Sequence, residues 1–334
     1  LHLVREVTIR RDDAGQRLDR FLRKLLPGST LGNLFRLLRK GLVRVNGRRA
    51  EGDLRLAEGD RVEIRADVGG ASAAPPGRPR APGAAASRPL SVLFRDEHVL
   101  AVDKPPFVLV QPGEGGDDAT LDTLVIDLIG PGDSLTFRPG LAHRLDRGTS
   151  GIVLFGLSAE GLRGLTEAFR RREVEKRYLA LVEGSPAQDE FTVDLPLARD
   201  PSDESRGKKV KVSRGADAQP ALTEFTVLGR DAGQALALVE ARPRTGRTHQ
   251  IRAHLRAARL PIAGDPTYGD PRSRARWEKS GLRRQFLHAW RIRLRHPVEA
   301  GRWIDVEAPL PPDLRKVLAR TSLGAAVPGD RTGR

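Results

Sequence analysis

The sequence has no cysteine and no methionine among its 334 residues, and aromatic residues make up only 4%. The lack of cysteine excludes a disulfide scaffold, a thiolate nucleophile and any Cys-ligated zinc or iron–sulfur centre. The lack of methionine, with Leu1 in first position, points to an alternative start or a trimmed chain and carries no functional reading. There is no run of roughly 18 apolar residues, which excludes a membrane-spanning helix. The opening segment LHLVREVTIRRDD has no apolar stretch of the signal-peptide kind, so the expected location is the cytoplasm.

Acids are the scarcer charge. Against 58 Lys and Arg there are 43 Asp and Glu, for a formal net charge of +15. This excess favours a polyanionic partner, because each cation set against a phosphate releases condensed counterions. Arginine outnumbers lysine, which suits bidentate phosphate contacts. A GC-rich genome that enriches arginine and alanine is the competing explanation.

Residues 67–89 are nearly all Ala, Gly, Pro, Ser and Arg and cannot build a core, so a disordered linker is expected there. The stretch 321–334 is expected to be a disordered tail. Two folded units are therefore expected, over 1–66 and 90–320. In the first, Leu18, Phe21, Leu22 and Leu25 recur at helical spacing, and Pro27-Gly28 ends that helix. A second helix, capped by Ser29 or Thr30, carries an apolar stripe of Leu31, Leu34, Phe35 and Leu38 and closes at Gly41. A hairpin turning at Asn46-Gly47 and a strand over 61–66 follow. Arg36, Arg39 and Lys40 share one polar helix face, beside Arg44, Arg48 and Arg49 on the hairpin. A solvated face and a polyanion-binding face are the two readings of that run.

The second unit mixes many strands with occasional helices and no regular βαβ alternation. An α+β domain around a mainly antiparallel sheet is expected. Its densest polar cluster is HRLDRGTSG (143–151), where Asp146 lies between Arg144 and Arg147. An ionised Asp so placed is a competent nucleophile or base, whereas a loop-closing Asp is the commoner fate of the residue type. RPRTGRTHQIRAHL (242–255) places Arg247 at a turn-to-helix junction, within reach of a carboxylate or phosphate. His249 and His254 are five apart, the wrong spacing for two ligands on one helix face, and are expected to be structural. Tyr178, one of two tyrosines, lies in the strand KRYLALVEG, either packed in the core or offered to a base for stacking. Asp117 and Asp118 are adjacent acids of the kind that usually face water. No GK[ST] or GxGxxG loop opens a helix, so no nucleotide cofactor is expected.

Two resemblances complete the reading. RLDRFLRKLLPGSTLGNLFRLLRKGLVRVNGRRA followed by GDRVEIR is similar to the small S-four-type (alpha-L) RNA-binding motif shared with a ribosomal small-subunit protein. DKPPFVLVQPG, HRLDRGTSGIVLFG, EKRYLALVEG, RTGRTHQIRAHL, PIAGDPTYG and FLHAWRIRL occur in the order seen in RluA-type pseudouridine synthases, and that likeness spans essentially all of 90–310. The second resemblance implies that Asp146 attacks a target uridine or takes a proton from its ribose. It further implies that Tyr178 stacks on the uracil and that Arg247 ion-pairs with Asp146. Arg144 would help replace the flipped nucleotide, and Leu287 and the HQIR segment (249–252) would line the pocket. The N-terminal resemblance implies RNA contact through the six basic residues above. Together they imply a monomeric enzyme without cofactor or metal, acting on structured RNA. Large-subunit (23S) ribosomal RNA is preferred as substrate and transfer RNA is the alternative. Asp103, Gln111 and Gly148 depart from residues frequent in that family, which bears on RNA choice. The competing readings are a non-catalytic RNA-binding assembly factor on the same fold and, more remotely, a metal hydrolase built on Asp117 and Asp118.

Overall fold

The computed structural model describes residues 4–65, 90–111, 120–130, 134–201 and 209–328. The expected linker, the stretch holding Asp117 and Asp118, and the last six residues of the expected tail lie outside these. No helix among the described residues is long and apolar enough to cross a membrane.

The N-terminal unit runs β1 (Val4–Thr8), a 3-10 turn (Arg11–Asp13), α1 (Leu18–Leu25), α2 (Leu31–Arg39), β2 (Val43–Val45), β3 (Arg48–Arg49) and β4 (Arg61–Arg65). Its strands form an antiparallel sheet in the order β1-β4-β2-β3. Leu18, Phe21, Leu22 and Leu25 are all buried, as their spacing predicts, and Thr30 caps α2 by accepting from the Asn33 N–H. The expected stripe on α2 is half right. Leu34, Leu37 and Leu38 form the buried face, whereas Leu31 and Phe35 lie on the helix flank and are exposed. A nine-residue helix meeting α1 along one edge cannot bury both flanks. Strand β1, absent from the sequence reading, completes the sheet.

The second unit opens with β5 (Ser91–Arg95), β6 (Val99–Lys104), α3 (Leu121–Ile129), β7 (Gly140–Leu141), β8 (Ser150–Gly156) and α4 (Ala159–Arg170). It continues with β9 (Glu175–Glu183), β10 (Glu190–Asp194), β11 (Leu197–Arg199), β12 (Val210–Val212), β13 (Leu222–Asp231) and β14 (Leu236–Pro243). It closes with α5 (Gln250–Ala257), α6 (Pro271–Lys279), β15 (Leu287–Arg295), β16 (Trp303–Glu307) and α7 (Pro312–Leu318). The main sheet has the order β10-β13-β14-β9-β15-β8-β6-β5, with β16 on β15 and β7 on β8. Among the described residues only β15 and β8 pair in parallel; every other strand pair there is antiparallel. The expected α+β class with a mainly antiparallel mixed sheet is thus the observed one. At the parallel joint Gly151 has φ +112°, and a Cβ there would lie 2.2 Å from the Ala289 carbonyl oxygen. Glycine is what lets β15 close behind the loop that precedes β8.

The first residues of the expected tail are part of the core. Leu323 is buried, and the Ser322 N–H donates to Asp231 (2.9 Å). Leu323 and Ala326 cover the strand at Gly229, so the chain stays packed at least to the 3-10 turn Gly324–Ala326.

The two units touch through a compact polar joint. Asp13, wholly buried, accepts from Ser134 Oγ (2.8 Å), Thr136 Oγ1 (2.6 Å) and the Thr136 N–H (2.9 Å) at Oδ1, and from the Leu135 N–H (2.9 Å) at Oδ2. Its neighbour Asp12 accepts from the first N–H of α4, at Ala159 (2.8 Å), where the helix dipole favours a carboxylate. Arg11 pairs with Glu97.

Candidate active site

The loop after β7 carries Asp146, and the turn is closed by the Thr149 N–H donating to the Asp146 carbonyl (3.0 Å). Leu145 beside it is buried, which pins the loop and leaves the Asp146 carboxylate partly exposed to a cavity. That cavity measures about 1380 Å³ and is lined by Arg144, Asp146, Tyr178, Arg247, Arg252 and Leu287, among others. Twelve Arg and Lys side chains line it against three acids, Asp146, Glu173 and Glu175. Such a wall suits a phosphate backbone.

The cation paired with Asp146 is Arg252, not Arg247. Arg252 Nη1 donates to Asp146 Oδ2 (3.1 Å), while its Nε and Nη2 form a bidentate pair with Asp265, both at 2.8 Å. Arg247 sits in the turn before α5, exposed, with its Nε on the Pro220 carbonyl oxygen (3.3 Å). The reason is local. Gln250 takes the Arg247 N–H and the Thr245 hydroxyl on its side-chain oxygen, which holds Arg247 outside the helix. Arg252, on the first turn of α5, faces the Asp146 loop. Burial opposes the charge on Arg252, yet its bonds to Asp265 and Asp146 hold its pKa above the ordinary guanidinium value. Burial likewise raises Asp265, but the bonds and charge of Arg252 and the N–H groups of Thr267 and Tyr268 bring it below the usual carboxylate range. The ion pair is therefore fixed with both members charged.

Tyr178, on β9, lines the same cavity and packs against two of the hydrophobic core clusters. Burial, and then the negative charge of Asp146, push its phenol above its usual pKa, so it stays protonated at neutral pH. Leu287 is buried at the head of β15, and Arg144 is exposed at the rim. His254 is structural, as expected, bonded to Thr223 (2.9 Å) and the Leu195 carbonyl (2.9 Å). His249 also reaches the site. It has left-handed backbone (φ 52°), its Nε2 is 3.8 Å from Asp146, and its Nδ1 is 3.2 Å from the Tyr268 hydroxyl. Tyr268 in turn lies under the Arg252 guanidinium, 5.1 Å from ring centroid to carbon.

Underneath the loop, Lys104 is buried and donates to the carbonyls of Pro105 (2.9 Å), Val108 (3.1 Å) and Arg147 (3.3 Å). Burial, with the charge of Arg284, brings its pKa down to about 7. His143 accepts the Leu154 N–H at Nε2 (3.0 Å) and stacks on Phe169, and burial brings its pKa down to about 3. Among the described residues Asp96, His296 and Glu299 converge as metal-capable groups. Arg302 lies 3.5 Å from Asp96 and 2.6 Å from Glu299, so an arginine already holds the space between the carboxylates.

In the N-terminal unit Arg36, Arg39, Lys40, Arg48 and Arg49 are exposed and Arg44 is half-buried. Arg49 donates to the Arg39 carbonyl (2.6 Å), which joins the hairpin and the end of α2 into one surface.

Residues 98–257 match the family model described as RNA pseudouridylate synthase, and residues 16–62 match the S4 domain. Over 329 residues the chain is 36% identical to ribosomal large subunit pseudouridine synthase C of Pasteurella multocida, covering 94% of this chain and 93% of that one. The chain belongs to the RNA pseudouridine synthase family. The synthase is also 35% identical to the protein of the same name from Escherichia coli (95% and 96% covered). It is 31% identical to ribosomal large subunit pseudouridine synthase D of Xanthomonas campestris (95% and 92% covered). Among solved structures, human RNA pseudouridylate synthase domain containing 1 is similar at a TM-score of 0.55 and 28% identity, covering 70% of this synthase and 89% of the human chain.

Sequence reasoning put the HQIR segment at the pocket but gave the pairing with Asp146 to Arg247, and it missed Asp265. The signal was present in HQIR, because an arginine two residues into a helix that starts beside the loop is better placed than one left in the turn. Asp265 lies in PIAGDPTYG, whose order was recognisable but whose partner was not.

Proposed function

We propose that this synthase isomerises specific uridines of large-subunit ribosomal RNA to pseudouridine, with Asp146 as the reacting carboxylate. The observation that carries the reading is the Asp146–Arg252–Asp265 chain at the wall of a basic cavity. Asp265 holds Arg252, and Arg252 holds the Asp146 carboxylate in place. In the reaction the bond from C1′ to N1 of the uracil breaks, the base turns, a bond from C1′ to C5 forms, and as the C5 proton leaves N1 takes up a proton. No atom is gained or lost. Tyr178 supplies a flat wall for the loose base and, being protonated, a hydrogen-bond donor at neutral pH. Leu287 closes the apolar side, so that the base stays in place until it is rejoined.

A uridine within folded RNA must first be flipped, at a cost of a few kcal/mol. Arg144 at the rim is suited to fill the vacated stack, and Arg247, exposed at the mouth, to meet a phosphate. Arg36, Arg39, Lys40, Arg44, Arg48 and Arg49 grip a structured part of the same RNA. On this reading the RNA-binding domain spans 1–66 and the catalytic domain 90–320, joined by the linker 67–89. The enzyme works as a cytoplasmic monomer without metal or cofactor. Ribosomal RNA is favoured over transfer RNA because relatives named for the ribosomal large subunit match almost the whole chain.

The test is pseudouridine mapping of total RNA from cells with the gene, without it, and with Asp146→Asn. Ribosomal sites lost in both altered strains are expected. Loss confined to transfer RNA would move the substrate, and no lost site in any RNA would turn the reading to a non-catalytic RNA-binding factor.

A further inference from the structure

Behind the loop that carries Asp146 lies a second ion pair, between Arg284, which also lines the cavity, and the half-exposed Asp313. Arg284 is 1% exposed, and its Nε and Nη2 donate to Asp313 Oδ2 (2.7 Å) and Oδ1 (3.1 Å). Its remaining arm, Nη1, donates to the Gly148 carbonyl (3.0 Å), two residues beyond Asp146, and to the Leu287 carbonyl (3.5 Å). Asp313 belongs to the first turn of α7, which is anchored in the main core by Leu314, Val317 and Leu318. The neighbouring Gln285 completes the seat. Its Nε2 donates to Thr149 Oγ1 (3.2 Å), and a Cβ at Gly148 would fall 2.4 Å from its Oε1. Gly148 is thus fitted against residues 284 and 285, and a side chain there would have to displace the end of Gln285.

We propose that Arg284, held by Asp313 of α7, is a positioning residue that fixes the Asp146 loop against the head of β15. A guanidinium is suited to this, since its planar fork takes a carboxylate bidentately and keeps a further N–H for a carbonyl. Both members lie beyond residue 257, where the match to the synthase model ends. The C-terminal helix thereby acts on the reacting carboxylate through one buried arginine. Misplacing a reacting group by about 1 Å can cost on the order of a hundredfold in rate.

The proposal rests on Asp146 being the reacting carboxylate, so Asp146→Asn is measured alongside. Asp313 is the better handle, because its side chain is 36% exposed and its loss leaves the packed face of α7 intact. Single-turnover rates on target RNA, KM, RNA affinity and Tm are compared for Asp313→Ala, Asp313→Glu, Arg284→Lys and Arg284→Met. Asp313→Ala is expected to lower the turnover rate between about tenfold and a hundredfold at unchanged KM and RNA affinity. Asp313→Glu should recover most of that rate, and Arg284→Lys should exceed Arg284→Met. Wild-type turnover in Asp313→Ala, a rise in KM alone, or a loss matched by the unfolded fraction would each overturn the positioning role. If Asp146→Asn still made product, the reading of Asp146 would fail instead.

Discussion

In the N-terminal unit the cations stand outside an apolar core, with Arg36, Arg39, Lys40, Arg48 and Arg49 all in water. In the catalytic unit Lys104, Arg252 and Arg284 are buried, each bonded to carbonyls or carboxylates. The contrast follows from what each must do. A surface that receives phosphates gains from solvated, adaptable side chains whose counterions are released on binding. A site that must hold one carboxylate in one place needs charges with no freedom to move, and burial with full partnering provides that. On the proposed function, the same residue type would carry affinity in one unit and geometry in the other.

If the contrast is real, substitutions should separate the two properties. Asp146→Asn should remove product formation by at least about a thousandfold while leaving RNA affinity within about twofold, measured by single-turnover assay and filter binding. Next, Asp265→Ala strands a buried guanidinium and should cost about 3–5 kcal/mol of stability together with most of the activity. Arg247→Ala, one turn away but in water, should change stability by less than about 0.5 kcal/mol in the same denaturation experiment.

Acid should unfold the catalytic unit through its buried histidines. Burial brings the pKa of His143 down to about 3 and that of His288 to about 4, against 6.5 for an exposed imidazole. Between those values the unfolded chain binds more protons than the folded one. The histidine contribution to stability should be constant above pH 6.5 and fall away as the pH drops towards 4, and replacing His288 with Gln should flatten that fall in a Tm-versus-pH series. The smallest effect belongs to the outer surface. The triple change Arg36→Ala, Arg39→Ala, Lys40→Ala should weaken RNA binding and lower the slope of log affinity against log salt by about 2–3. Tm should not move, and an unchanged slope would mean that this face does not meet RNA.

The elements that the sequence made legible were those with strong local signals. The spacing of Leu18, Phe21, Leu22 and Leu25 predicts its helix, and Thr120 caps α3 as its side chain suggests. Asp146, Tyr178 and Leu287 line one cavity, as the order of motifs led one to expect. What escaped was decided by distant partners. Nothing in the turn TGRT reveals that Gln250 holds Arg247 away from the loop. Nothing near Asp13 announces that segment 134–136 will surround it with donors, more than a hundred residues on. Leu323 lies in a stretch too polar overall to predict burial, yet Gly229 leaves a place for it.

The position of β15 in the sheet has a consequence for how the molecule comes into being. Strands β5 to β8 lie on one side of it and β9, β10, β13 and β14 on the other, so residues 287–295 join two half-sheets made earlier. During synthesis those halves wait with unpaired inner edges until the late strand emerges. Asp146 comes from the half that contains β8, and Arg252 follows β14 of the other. The acid and its arginine are therefore brought face to face only when nearly the whole chain has left the ribosome, and a prematurely ended chain has no assembled site.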